Sequence, residues 1–245
     1  MALSNQQYFL LRKLHQFTGA LPLGAYLCIH LLVNSYALQG STAFDGKVQI
    51  LETLPFLFVW EFLLIYLPLV YHAAFGVWVG FVAKNNPLRF PYARNWNFAI
   101  QRWTGFFMLV FLGYHAWYMR FQGTPIGHTV QQFGFSDSGY GKVVMHLQNP
   151  AMAAFYAVGV IATAYHFANG LWEFLIDWGF TVSMKAQQWS QIAVMVVWIA
   201  ISGLGLSALY AFATSRELPP GMGASTHAPQ AVTAIAFQKG TSHGR

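Results

Sequence analysis

Apolar positions along the chain gather into five runs, 17–38, 62–83, 103–119, 151–172 and 186–215, the third entered through a polar approach from Asn95. Each is close to the roughly 20 residues that carry a helix across a bilayer. Hydrocarbon offers backbone groups no water, so runs of this kind are expected to be helices. The intervals between them hold turn chemistry: Gly40 and Asp45-Gly46, Asn85-Asn86-Pro87 with Pro91, the stretch 134–141, and the region of Asp177 and Gly179. These read as loops. Pro22 and Pro68 fall inside runs and are expected to kink helices, not end them.

Composition agrees with the pattern. Hydrophobic residues make up 56% and aromatic residues 18%, against 8% charged, far from the quarter or so of charged residues in a soluble domain. The expected fold class is an all-α integral membrane protein with five transmembrane helices. The N-terminus has no short apolar core followed by a small-residue cleavage site, so the first helix is expected to stay in the mature chain. With the N-terminus inside, cytoplasmic pieces hold Arg12, Lys13, Lys84, Arg89, Arg94, Arg102 and Lys185, and outer loops hold Lys47, Arg120 and Lys142. That asymmetry favours N-inside. The expected organisation is a cytoplasmic N-terminus over 1–16, a five-helix body over 17–215, and an extracytoplasmic tail over 216–245. The tail is rich in Gly, Ala, Ser, Thr and Pro and is expected to be disordered.

The net charge of +6 does not point to nucleic acid, because the basic residues sit in short loops at a membrane face with no soluble domain to present them. Lipid headgroups or a docking partner fit better. The single cysteine, Cys28, cannot form an internal disulfide and reads as a small hydrophobe in an apolar helix.

Four histidines, His30, His72, His115 and His166, each stand alone in a different apolar run. At 1.5 Å of rise per residue, His72 and His166 both lie roughly 16 Å above the expected cytoplasmic face, and His30 and His115 roughly 20–25 Å above it. A weak internal repeat gives the same pairing. Tyr71-His72-Ala73-Ala74-Phe75-Gly76-Val77-Trp78 and Tyr165-His166-Phe167-Ala168-Asn169-Gly170-Leu171-Trp172 share YHxxxGxW, while Thr18-Gly19 precedes His30 much as Thr104-Gly105 precedes His115. The chain therefore reads as a duplicated two-helix unit, a four-helix core, plus a fifth helix.

Buried imidazoles in lipid are costly unless bound or bonded. An iron porphyrin held edge-on between helices takes one imidazole from each side, and a glycine at i+4, Gly76 or Gly170, would leave room for the ring. Two axial histidines close both open positions on iron, which suits electron transfer. The expected ligands are His72 and His166 for an inner haem and His30 and His115 for an outer one. Hydrogen bonding between helices is the competing role for the histidines, and close packing for the glycines. His15, His128, His146, His227 and His243 fall in loops, interfaces or the tail and are expected at the surface, with His15 and His146 also candidates to touch haem propionates.

The stretch Arg12-Lys13-Leu14-His15-Gln16-Phe17-Thr18-Gly19-Ala20-Leu21-Pro22-Leu23-Gly24, continuing to His30-Leu31-Leu32-Val33-Asn34, resembles the opening of the dihaem cytochrome b anchor subunits of succinate dehydrogenases and fumarate reductases. The resemblance covers roughly residues 5 to 215. It implies two haem b groups in the pairing above, a flavoprotein partner carrying FAD, an iron–sulfur partner, a position in respiratory complex II of the cell membrane, and a quinone, usually menaquinone, as electron acceptor. The chain itself has no dinucleotide fingerprint and no cysteine cluster, so dicarboxylate chemistry belongs to the partners.

Arg12, His15 and Arg102 are the candidate propionate contacts, although an ordinary positive-inside bias also accounts for the arginines. Glu61, roughly 16 Å outward from His72, is a candidate for proton handling at a quinone site by the outer haem, with Glu52 second; an interfacial role in water is the alternative for Glu61. Glu173, on the same helical face as His166 but towards the cytoplasm, reads as a helix-end residue near the headgroups, with a proton path or an inner-haem contact as the alternative. The anchor of a hydrogenase or formate dehydrogenase would share the haem logic, and a haem-free transporter would use the histidines for hydrogen bonds.

Overall fold

The computed structural model describes residues 4–121 and 139–217. His128, His227 and His243 and nearly all of the expected tail lie outside them. Among the described residues the elements are helical: α1 (Asn5–Thr18), α2 (Gly24–Ser35), α3 (Ser41–Glu52), α4 (Leu57–Glu61), α5 (Leu67–Val82), α6 (Ala93–Ala116), α7 (Gly139–Leu147), α8 (Pro150–Asp177) and α9 (Met184–Thr214).

Four stretches are long and apolar enough to cross a membrane: Asn5–Gln39, Leu57–Val82, Pro150–Asp177 and Met184–Thr214. The fifth long helix, α6, has 24 residues, about 36 Å at 1.5 Å per residue. It is less apolar because its first turns carry Arg94, Asn95, Asn97, Gln101 and Arg102. The chain is a multi-pass membrane protein. Large apolar side chains such as Phe81, Val70, Trp103 and Val196 stand exposed along the spans, as a lipid-facing surface requires.

The first span begins at Asn5, ahead of the expected start at residue 17. Ser4 and Gln7 explain it: each side chain bonds the other's backbone N–H, a reciprocal cap that starts the helix. Both internal prolines are accommodated by widened π turns. Pro22 lies inside Gly19–Leu23, and Phe62–Tyr66 ends just before Leu67-Pro68. A π turn absorbs the hydrogen bond that proline cannot make, so each run continues as one helix.

Two segments expected as loops are helices. Asp45-Gly46 lies within α3 and Gly139 opens α7. Their apolar residues explain the difference: Phe44, Tyr140, Val144 and Leu147 are buried together with Phe111, Tyr156, Ala208 and Phe212. The Asp45 carboxylate accepts from the Tyr140 backbone at 2.9 Å, and the Tyr140 hydroxyl meets Ser215 Oγ at 3.1 Å. These short helices close the end of the bundle farthest from Arg12, here the far end; the other is the basic end.

Between the spans, α8 packs along α9 and α6, α2 against α9, and α1 against α5. Lipid gives helices no hydrophobic reason to associate, so close contact over small residues matters. A Cβ at Gly159 would meet the Phe111 ring at 2.3 Å, and one at Gly205 would meet Val160 at 2.6 Å. At the basic end, Arg12 reaches Asp177 at 3.3 Å, while Lys13 and Gln16 bond the same residue. This ties α1 to the end of α8.

Candidate functional site

His72 on α5 and His166 on α8 face each other with ring centroids 6.2 Å apart and planes at 79°. His72 Nδ1 lies 2.9 Å from the His15 carbonyl on α1, and His166 Nδ1 lies 3.0 Å from the Gln101 carbonyl on α6. A carbonyl only accepts, so each Nδ1 carries the proton and each Nε2 keeps its lone pair. Imidazoles that ligate metals are oriented in this way. Two glycines permit the approach: a Cβ at Gly19 would stand 2.5 Å from His72 Cε1, and one at Gly105 would stand 3.1 Å from His166 Cε1.

His30 on α2 and His115 on α6 form a second pair nearer the far end, with centroids 5.7 Å apart and planes at 84°. Asn34 donates to the His30 carbonyl at 2.8 Å and lies 3.4 Å from His30 Nε2. Phe111 stacks beside His115 at 5.9 Å. His115 Nδ1 is buried without a hydrogen-bond partner.

Imidazoles on opposite sides of one metal have ring centres roughly 6 Å apart, the sum of two bonds of about 2 Å and two half-rings. Both pairs have that spacing. Among the described residues no group of three or more His, Cys, Asp or Glu is arranged around a bare ion, so the paired arrangement suits a group that brings its own equatorial ligands.

Arg102 sharpens the fit at the basic end. All three of its guanidinium nitrogens are buried with no hydrogen-bond partner, and the group lies 4.2 Å over the Phe98 ring. A buried cation with unfilled donors calls for an anion, and a haem propionate is an anion of suitable size. The donor set therefore fits haem.

Other expected site residues fall variously. His15 is not a surface residue: its ring stacks on His72 with centroids 3.9 Å apart and planes at 12°, because the early start of α1 carries it into the bundle. His146 is also buried, 7% exposed, since α7 folds over the far end. Its ring stacks on Tyr118 at 3.8 Å, and burial lowers its pKa, with the Lys142 ammonium adding to the effect. Gly76 and Gly170 do not face one open surface. A Cβ at Gly76 would meet His15 at 3.0 Å, and one at Gly170 would meet Gln101 Nε2 at 3.2 Å. Arg12 is engaged with Asp177. Cys28 is exposed on the apolar first span.

Glu61 lies at the end of α4, inside the second span, and accepts from Arg120 at 2.8 Å. Tyr66 bonds the same arginine, and Tyr26 lies 5.5 Å from the His30 ring. Glu52 is the exposed last residue of α3. Glu173 lies inside α8, one turn before its end, and accepts from Asn169 at 3.1 Å.

The roles missed from sequence are those of Gln101 and Thr104, which bond His166, of Asn169, which bonds Gln101, and of Gly19 and Gly105, which leave the imidazoles room. Thr104 Oγ1 lies 3.2 Å from His166 Nδ1. The signal was present in the repeated Thr-Gly pair, which marks close approach of α1 to His72 and of α6 to His166, not spacing to His30 and His115 alone.

Comparison with known proteins bears on this geometry. Residues 86–206 match the family described as "Succinate dehydrogenase/Fumarate reductase transmembrane subunit". The chain is 39% identical over 210 residues to the "Succinate dehydrogenase cytochrome b558 subunit" of Bacillus subtilis (strain 168), covering 86% of this chain and 100% of that protein. It is also 33% identical over 96 residues to the "Succinate dehydrogenase hydrophobic membrane anchor subunit" of Thermoplasma acidophilum, covering 39% of this chain and 68% of that one.

Proposed function

The chain belongs to the family of succinate dehydrogenase and fumarate reductase transmembrane subunits, and from that premise we propose that it is a dihaem cytochrome b carrying electrons from an iron–sulfur partner to a quinone. Its place in the enzyme is that of the membrane anchor of succinate dehydrogenase. FAD, iron–sulfur clusters and the dicarboxylate site belong to the partner subunits.

The observation that supports this reading best is the pairing of four histidines from four different helices at centroid separations of 6.2 and 5.7 Å. His72 and His166 would hold the haem at the basic end, and His30 and His115 the one nearer the far end. Haem b supplies a one-electron couple. The residues of the chain do the rest. The His15 and Gln101 carbonyls fix two imidazoles with Nε2 free. Gly19 and Gly105 admit the rings. Arg102, with three buried donors unfilled, would hold a propionate. The apolar wall of Phe107, Phe111, Phe155 and Tyr156 keeps water away from His115.

With the basic end in the cytoplasm of a cell with this protein in its plasma membrane, the His72–His166 pair would hold the haem that receives electrons and the His30–His115 pair the haem that gives them up. A quinone, in our reading menaquinone, would accept them near Glu61, where the carboxylate, Arg120 and Tyr66 form a polar group at the apolar span. Glu61 would pass protons there, as a carboxylate positioned by a cation can, with exposed Glu52 as a less favoured relay. Charge carried across the bilayer is worth about 2.3 kcal/mol per 100 mV, so outward electron flow would couple turnover to the membrane potential.

The test is a set of four alanine variants of the complete complex, read by reduced-minus-oxidised spectra. His72→Ala and His166→Ala are expected to remove one and the same spectral component, and His30→Ala and His115→Ala the other. Loss of different components within a pair would overturn the assignment.

A further inference from the structure

We propose that Glu173 is the proton-accepting group linked to reduction at the His72–His166 pair, so that each electron arriving there draws one proton onto this carboxyl. The proposal rests on the reading of that pair as a haem site. A continuous set of hydrogen bonds joins the two. Asn169 Nδ2 donates to Glu173 Oε1 at 3.1 Å and to Gln101 Oε1 at 3.1 Å. Gln101 then grips His166 from two sides: its Nε2 donates to the His166 carbonyl at 3.0 Å, and its own carbonyl accepts from His166 Nδ1 at 3.0 Å. Groups that bond the second nitrogen of a ligating imidazole set its basicity, and here that group is bonded through one buried amide to a carboxyl.

The surroundings suit proton uptake. Among the described residues Glu173 forms no ion pair. The charged or titratable groups nearest it are Asp177 and Tyr165 on its own helix, Arg102 on α6 and Arg12 on α1. Of these, Arg12 is engaged by Asp177, and Arg102 is the cation assigned above to a propionate. From α9 the uncharged Gln191 reaches a cavity of about 90 Å³ that Asn169, the partner of Glu173, lines together with Asn97 and Tyr165. In such a low-dielectric setting an added negative charge is not screened by solvent, and it favours the neutral form of a neighbouring carboxyl.

The balance is simple. One electron comes from the iron–sulfur partner, one proton comes from water at the basic end, and the carboxylate becomes a carboxylic acid. Reduction therefore becomes harder as pH rises and the proton becomes scarcer. Glu173 acts through Asn169 and Gln101 and is a positioning and charge-balancing residue.

The test is spectroelectrochemical titration of the purified complex between pH 6 and 8. In the unaltered complex one of two components should fall in potential as pH rises. In Glu173→Gln that component should lose its pH dependence while the other keeps its own profile, and Glu173→Asp should restore the slope. An unchanged slope in Glu173→Gln overturns the proposal. A second readout needs no variant: the reduced-minus-oxidised infrared spectrum should gain a carboxylic C=O stretch, and its absence also overturns the proposal. Failure of the underlying haem reading looks different, since the preparation would then show no b-type spectrum at all.

Discussion

Replacing Gly19 by alanine tests the site through a single methyl group. The new Cβ would stand 2.5 Å from His72 Cε1 and 3.0 Å from its Nδ1, where carbon atoms settle at about 3.5–4.0 Å. The imidazole must therefore retreat by about 1 Å. It has little freedom to do so, because its Nδ1 is held 2.9 Å from the His15 carbonyl and its face is stacked 3.9 Å from the His15 ring. Overpacking of this kind costs about 1–3 kcal/mol, and losing the hydrogen bond adds about 0.5–1.5 kcal/mol. A total of about 2–4 kcal/mol corresponds to roughly 30- to 700-fold weaker retention of a group held by His72. The assay is haem content per chain after purification. Gly19→Ala should lose the component that His166→Ala loses and keep the other. Gly105→Ala, whose Cβ would lie 3.1 Å from His166 Cε1, should show a smaller loss, and Gly113→Ala, which meets nothing within 4 Å, should show none. Full haem content in Gly19→Ala, with both components intact, would refute the argument.

Arg102→Leu should weaken or shift the component assigned to His72 and His166, because the propionate loses its buried cation; an unaltered potential and content would remove Arg102 from the site. Glu61→Gln should slow quinone turnover by tenfold or more while leaving both haem spectra intact, as removal of a general acid–base group typically does, and wild-type turnover would dismiss the quinone role. At the far end, hydrogen bonds from Ser41 hold the Glu217 carboxyl below its ordinary value of 4.5. A depressed carboxyl contributes stability that is present above the unfolded value and lost as pH falls through the folded one. Thermal stability in detergent should therefore decline on acidification below about pH 4.5 by less in Glu217→Gln than in the unaltered protein, and equal declines would contradict this.

Four of the five expected spans were legible because lipid imposes one rule on every residue in them, while α6, with polar first turns, is the less apolar fifth helix; the two histidine pairs were legible because depth follows from rise per residue. The short helices α3 and α7 were not, since Asp45-Gly46 and Gly139 to Gly141 carry turn chemistry, and only their burial against Phe111 and Phe212 makes helices of them. The orienting groups were hidden for a different reason. Gln101 and His15 act on the ligands through backbone carbonyls, which no side-chain pattern reports. Glu173 read as a helix end because the run of apolar residues stops at Trp172, whereas α8 continues to Asp177 and brings the carboxyl to Asn169.

The central claim is that this chain is a two-haem relay, and a dithionite-reduced minus oxidised spectrum of the purified complex, with haem counted per anchor chain, tests it most directly. Two low-spin b haems per chain are expected. A folded, haem-supplied preparation with none would contradict the account and leave the four histidines as hydrogen-bonding residues of a haem-free anchor.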